Sequence, residues 1–378
     1  MIFRIFVLTL LLSGTAVFAQ FDFNFRGYVT DIPIYQSMDD QFGSFYDAPK
    51  NSFVNLTRLR LKPEFFIGNN LRFNLEYEIS AYYAGNVSAS LNEPAKTNRQ
   101  LADLIWKPVS EDHYNVIHFI DRLYFRYGFE FGNIIVGRQR ISWGAGRIWN
   151  PVDLFNPLNP ITFYKLEKDG ADAISALFYM GDFTDLNLVF NPSEKIDESN
   201  FGFRFRTNYG EYDFSLIGGR FDNQKVIGAD FAGNLLDAGV RGEGIYSYRD
   251  SGYLKFILGA DYQFSPKLYG LVEYHYNGEG KTDKENYDLF RLLRGEIINL
   301  SRHYLAVMTS YQIHPLTTIS LTTIRNFNDN SGYILTNGVY SASDNMSISL
   351  GALITYGDFL SEFGYYPKAL FLQADYYF

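Results

Sequence analysis

Cationic side chains recur at every second residue in several stretches of this chain: Arg58, Arg60 and Lys62, then Arg138 and Arg140, then Arg204 and Arg206. Arg72, Arg122 and Arg126 stand in similar surroundings. A spacing of two puts side chains on one face of an extended chain, so each group forms a short ladder of positive charge. Carboxylates accompany them at Glu64, Glu76 and Glu78, and later at Asp261, Glu273 and Asp375. Two kinds of chemistry suit this pattern. Guanidinium groups along a wall can replace part of the hydration of a passing anion. Alternatively, each cation pairs with a carboxylate on a neighbouring strand and holds a polar interior together. The residue types fit both.

Catalytic constellations are sparser. With no cysteine, the chain has no disulfide, thiolate metal site, cysteine nucleophile or lipidated cysteine anchor. The five histidines, His113, His118, His275, His303 and His314, are scattered. His303 can be combined on paper with Ser301 and Asp261, but no Gly-x-Ser-x-Gly elbow exists, so an enzyme is an alternative and not the expectation. The clusters Asn326, Asn328, Asp329, Asn330 and Asp283, Glu285, Asp288 lack the spacing of a calcium loop. Neither a metal nor a cofactor is expected. A formal charge of -9 argues against a nucleic-acid partner.

The elements that carry these residues follow from period two. From Leu71 to Tyr83 the apolar Leu71, Phe73, Leu75, Tyr77, Ile79, Ala81 and Tyr83 alternate with Arg72, Asn74, Glu76, Glu78, Ser80 and Tyr82. Thirteen alternating residues exceed the roughly 9 to 11 that a tilted membrane strand needs. Similar runs recur at 254–264 and 346–356, and no helical stripe of comparable length exists. The pattern predicts eighteen antiparallel strands between Phe21 and Phe378 closing into a transmembrane barrel. Sixteen is the alternative, because 220–250 is rich in glycine. Aromatics make up 18% of the chain, including 30 Tyr and 35 Phe, and they alternate along strands where they can face lipid.

Short turns, such as 68–70, Gly233-Asn234 and 265–266, alternate with longer connections at 31–52, 85–114, 144–168, 277–300 and 358–367. Short periplasmic turns and long outer loops are the asymmetry of outer-membrane barrels. Pro63 inside a strand predicts a bulge. The segment 144–168 is the expected constriction loop, with Arg147, Trp149 and Asp153 as its candidate contacts. Asn150 and Pro151 there suit the opening of a helical turn, and Asn156 and Pro157 follow. If Arg138 and Arg140 both face inward, Gln139 faces lipid unless a bulge intervenes.

Residues 1–19 carry one cation, a short apolar stretch and the small-residue ending Val17-Phe18-Ala19. This reads as a signal peptide cleaved after Ala19, with the barrel formed by 20–378. At the other end Leu370, Leu372, Ala374, Tyr376 and Phe378 share one face. The aromatic ending resembles the terminal strand that the barrel assembly machinery reads, which makes Leu372, Tyr376 and Phe378 the expected assembly signal.

Gly137-Arg138-Gln139 followed by Trp143-Gly144, the long segment after it, and the ending Leu370 to Phe378 together resemble porin-like outer-membrane β-barrel proteins of Gram-negative bacteria. The resemblance spans the mature chain in pattern, though its motifs are short. It implies a passive channel for small hydrophilic solutes, with Arg58, Arg60, Arg72, Arg122, Arg126, Arg138, Arg140, Arg204, Arg206, Glu76 and Glu78 lining the pore. An export channel for an acidic polysaccharide is the alternative within transport. Outer-membrane lipid, the assembly machinery and the solutes are the implied partners.

Overall fold

In the computed structural model, residues 21–38, 49–85, 96–155, 159–162, 164–165, 167–293 and 297–378 are described. The expected signal peptide lies outside the described residues, as do Asn156 and Pro157. Alternation becomes strand almost throughout. The strands are β1 (Phe21–Ser37), β2 (Asn51–Ile67), β3 (Leu71–Ala84), β4 (Ile105–Ser110), β5 (Tyr114–Phe129), β6 (Gly132–Gln139), β7 (Ala171–Tyr179), β8 (Asp185–Asn191), β9 (Asn200–Tyr209) and β10 (Tyr212–Phe221). They continue with β11 (Gln224–Leu235), β12 (Ala238–Tyr248), β13 (Gly252–Ser265), β14 (Leu268–Asn277), β15 (His303–His314), β16 (Thr317–Asn326), β17 (Gly332–Ser343), β18 (Met346–Tyr356) and β19 (Lys368–Tyr377). All but β4 follow one another round the wall, every pairing is antiparallel, and β1 pairs with both β2 and β19. The result is a closed barrel of eighteen strands. Closure removes the free edges that a sheet would otherwise expose.

Outward positions carry large apolar side chains in the open, with Phe125 53%, Leu258 54% and Leu350 59% exposed. Only hydrocarbon suits such a surface, so the barrel wall spans a membrane.

Several expectations are corrected. β1 continues through the predicted loop to Ser37, because Ile32 and Ile34 face inward and are buried in the bore. The turn expected at Gly233-Asn234 lies at Leu236 and Asp237, between β11 and β12. Gly233 stays in the strand and leaves room for the Tyr212 ring lying against it. Pro63 produces no bulge. Pairing of β2 with β3 lapses at Lys62 and Pro63 and resumes from Leu61↔Tyr77 to Glu64↔Asn74 in the same register. The irregularity sits across β3 instead, where Asp121 is an extra residue between the pairs Tyr77↔Ile120 and Glu76↔Arg122. This bulge turns both Asp121 and Arg122 into the interior.

β6 ends at Gln139, earlier than the alternation suggests, since Ile141 and Trp143 leave the wall and pack inside. The gap above it is closed by Arg99–Ser110, a stretch the sequence reading left as loop. β4 pairs with Asn115–Phe119 of β5, Ile120 N–H donates to the Leu104 carbonyl at 3.1 Å, and Asp172 N–H donates to the Arg99 carbonyl at 3.0 Å.

Candidate functional site

The chain between β6 and β7 enters the bore and crosses it. Two glutamates on the opposite wall receive it. Glu243 of β12 accepts the N–H groups of Ala145 at 2.6 Å, Gly146 at 2.9 Å and Val152 at 3.2 Å. Glu273 of β14 accepts those of Arg147 at 2.9 Å, Ile148 at 3.1 Å and Trp149 at 2.8 Å. Successive backbone N–H groups converging on an anion form a nest, and here the anion is a side chain of the same protein. Gly144 has φ +99, and a Cβ at that position would collide with the Glu243 carboxylate, so glycine is required for the approach.

Asn150 and Pro151 form a tight turn and not the expected helical start: Asp153 N–H donates to the Asn150 carbonyl at 3.1 Å. Trp149 is 1% exposed and stacks on His275 with 5.2 Å between ring centroids. Asp153 is buried in an ion pair with Lys168.

Around this loop the long-loop half of the bore is packed with apolar side chains. Inward residues of many strands, among them Ile32, Leu56, Tyr82, Ile117, Ile257, Ile324 and Leu353, meet Trp149 and Ile161 of the loop. Trp143, Val152 and Phe155 form a second cluster with Val189, Ile217 and Ile245. Phe363, from the loop between β18 and β19, joins the first cluster beside Tyr333. Its neighbour Glu362 is fully buried and accepts from Tyr304, from Asn326 Nδ2 at 2.9 Å and from Leu300 N–H at 3.1 Å. Burial pushes this carboxyl up to about 7 against the pull of those donors.

The arginine-bearing wall is largely neutralised. Arg60 sits among Glu76 at 2.7 Å, Glu78 at 2.9 Å, Glu167 at 3.4 Å and Asp121. Arg58 pairs with Glu78 at 2.8 Å, Arg72 with Glu64 at 3.0 Å, and Lys62 with Glu167 at 2.5 Å. Burial would raise the Glu167 carboxyl, but Arg60 and Lys62 outweigh it and hold the group below the usual carboxylate range. Glu76, Asp121 and Glu167 have oxygens within 4.8 Å of one another, a spacing that invites a cation. The Arg60 guanidinium already occupies that role.

Arg122 bonds the carbonyls of Lys168, at 2.6 Å, and Asp121, tying the end of the loop to the wall. Arg204 and Arg206 both approach Asp185, at 3.9 and 2.6 Å. Arg126 and Arg140, on the same side as the paired cations, form no ion pair among the described residues, nor does Arg147 in the loop. Arg140 opens onto a cavity of about 450 Å³ that Lys62, Glu76, Arg122, Tyr124 and Glu167 also line.

Arg138 is placed elsewhere. It shares its register with the exposed Val136 and, across β7, Ile174, while Gln139 is the inward residue and bonds the Ala173 carbonyl at 2.9 Å. Arg138 pairs with Asp172 at 2.7 Å and donates to the Ala102 carbonyl, clamping the Arg99–Ser110 patch to the wall. Leu372, Tyr376 and Phe378 are exposed on the outer face, and Phe378 exchanges backbone hydrogen bonds with Gly27 at 2.9 and 3.0 Å. His303 does not meet Ser301 and Asp261: its ring bonds the Tyr274 hydroxyl at 2.6 Å, Ser301 bonds Asn328 at 2.7 Å, and Asp261 pairs with Arg241.

Sequence reasoning missed Glu243 and Glu362, and also Asp121 and Glu167 beside Arg60. The run Trp143-Gly144-Ala145-Gly146 was a usable signal for Glu243, since small residues with open N–H groups need an acceptor.

No protein-family model and no curated protein matches the chain. Solved structures do. OccAB1 of Acinetobacter baumannii aligns over 97% of this chain and 98% of its own at 9% identity, with a TM-score of 0.60. OccD3 (OpdP) of Pseudomonas aeruginosa covers 94% and 91% at 8% identity, TM-score 0.55. OccAB4 of A. baumannii covers 94% and 98% at 8% identity, TM-score 0.55. At these identities the likeness is one of fold: the chain has the architecture of a porin-like outer-membrane barrel.

Proposed function

We propose that this chain is an outer-membrane channel of narrow bore, through which small hydrophilic solutes diffuse down their gradients. The observation that carries the reading is the loop drawn across a closed barrel and fastened to the far wall by Glu243 and Glu273. A loop held in this way restricts a bore that eighteen strands would otherwise leave wide. The packed long-loop half speaks against a conduit of polymer width, and so against polysaccharide export.

Selectivity in this reading is weakly anionic. Most of the arginine wall is spent on ion pairs, which leaves Arg126 and Arg140 as the wall cations free to meet a solute, with Arg147 of the loop in addition. Reconstitution in a planar bilayer under a salt gradient tests the proposal. Small discrete conductance steps with a modest reversal potential on the anion side are expected, and Arg126→Ala with Arg140→Ala should bring that potential close to zero. Absence of any conductance from properly folded protein, or a preference for cations, would overturn it.

A further inference from the structure

The two apolar clusters of the long-loop half together take inward side chains from most of the wall. The first draws on β1, β2, β3, β5, β13 and β15–β19, and the second on β7, β8 and β10–β12. Trp149 and Phe363 sit in the first, Trp143 and Phe155 in the second, and the Trp143 ring also lies against Gly202 of β9. The bore is plugged at that depth. The cavity at Arg140 lies on the other side of the plug, since Lys62 and Tyr124 belong to the parts of β2 and β5 nearer the short turns. An apolar constriction excludes hydrated ions and solutes by dewetting. For this barrel to conduct, part of the plug must move.

The pieces of the plug are held unequally. Trp143 and Trp149 arrive on the crossing loop, which Glu243 and Glu273 fasten through six backbone N–H groups. The segment 357–367 dips in from the mouth and puts the Phe363 ring into the first cluster. Its polar ties go to the neighbouring loops and strand ends. Glu362 N–H donates to Asp329 at 2.8 Å, Phe363 N–H to Ser331 Oγ at 3.2 Å, and Thr355 Oγ1 to the Tyr366 carbonyl at 2.8 Å. The Glu362 carboxylate takes Tyr304, Asn326 and Leu300 N–H, and none of these partners is a cation. The segment turns inward at Gly357, φ +146, where a Cβ would collide with Ser331 and Ser361.

We propose, resting on the channel reading above, that 357–367 is a lid, closed in this structure, which swings out of the long-loop mouth about Gly357 and admits solute to the bore. Tyr304 carries its effect inward. Its hydroxyl donates to Glu362, while its ring stacks on His275 at 5.8 Å between centroids and lies 5.9 Å from that of Trp149. When the lid leaves, the Tyr304 hydroxyl loses its acceptor and the aromatic stack that seats the crossing loop is uncovered. Opening of the mouth and loosening of the crossing therefore go together.

A reversible lock tests this. Since the chain has no cysteine, Ser331→Cys with Ser361→Cys introduces the only thiols, and both side chains lie against Gly357, within reach of a bridge. Single-channel records of the parent in a planar bilayer should consist of brief openings. Oxidation of the double variant, confirmed by loss of free thiol, should cut its open fraction several-fold, reductant should restore it, and neither reagent should act on the parent. Phe363→Ala should lengthen the openings several-fold while heat-modifiable gel migration shows an intact wall. A bridged barrel that conducts like the reduced one, or a Phe363→Ala record indistinguishable from the parent's, would overturn the lid and leave the channel reading standing. Silence from the parent, from Phe363→Ala and from the reduced double variant alike would overturn both.

Discussion

Two groups of inward carboxylates face each other across the bore, and they are used in opposite ways. Glu76, Glu78, Asp121 and Glu167 gather on one guanidinium, Arg60, and make a closed electrostatic knot in the wall. Glu243 and Glu273 have no arginine to neutralise them among the described residues and take up six backbone N–H groups of the crossing loop. Charge type alone therefore does not tell structure from function here. The first group fixes the shape of the barrel where the loop returns to its own side of the wall, through a bulge at Asp121 and the tie from Arg122 to Lys168. The second fixes where the loop arrives. The crossing is gripped at both ends, and in the proposed channel the gap between the grips is the passage.

The sharpest way to break this contrast is at Arg60. Arg60→Leu removes the cation that four carboxylates share and leaves them only Arg58, Lys62 and Arg122, and removing one partner of a buried pair costs about 3–5 kcal/mol. Denaturant unfolding in detergent, followed by heat-modifiable gel migration, should show a loss of that order. Trp149→Ala comes next, at roughly 3 kcal/mol or more for an emptied apolar site. It should loosen the loop while the wall, read from hydrogen exchange of β12–β14, stays protected. An Arg60→Leu barrel as stable as the parent would dissolve the distinction between knot and latch.

The third probe is pH, read at the loop between β18 and β19. Glu362 titrates near 7 where it is buried and near the ordinary 4.5 when released. Its folded pKa is raised, so its contribution to the inward-packed loop 357–367 is complete below pH 4.5 and is lost as pH rises through 7. The difference corresponds to about 3 kcal/mol, taking about 1.4 kcal/mol per unit. Protection factors in 357–367, which discount the intrinsic pH dependence of amide exchange, should fall between pH 6 and 8, and Glu362→Gln should remove that fall. Smallest of all is the effect of Arg126→Ala and Arg140→Ala, which should shift the reversal potential by a few millivolts with no loss of stability.

Most of the wall was legible in the sequence, because lipid outside and water inside impose alternation. β3 and β8 begin and end where the pattern puts them, and the eighteen wall strands are those that the pattern predicts. The same logic explains what was not legible. In the long-loop half the inward face is apolar too, as at Ile32 and Ile34, so alternation fades and β1 reads as a loop from Asp31 on. β4 and the stretch before it were hidden because they fill a place that β6 vacates, a consequence of where the chain goes and not of what it is locally. At the site, the two-residue spacing of Arg58 and Arg60 correctly placed them inward, but pairing is decided across strands. Arg138 differs from Arg140 because the strand ends between them. Glu243, between two glycines, has no local feature that tells of its partners a hundred residues away in sequence.

The central claim is that Glu243 and Glu273 hold the loop across the bore and thereby set its width. Single-channel conductance of the parent protein against Glu243→Gln with Glu273→Gln tests it most directly, since the amides keep the size of the side chains and remove the charge that six N–H groups share. The account predicts small steps for the parent and steps several-fold larger, with more fluctuation, for the double variant. Equal conductance from two equally folded barrels would contradict it.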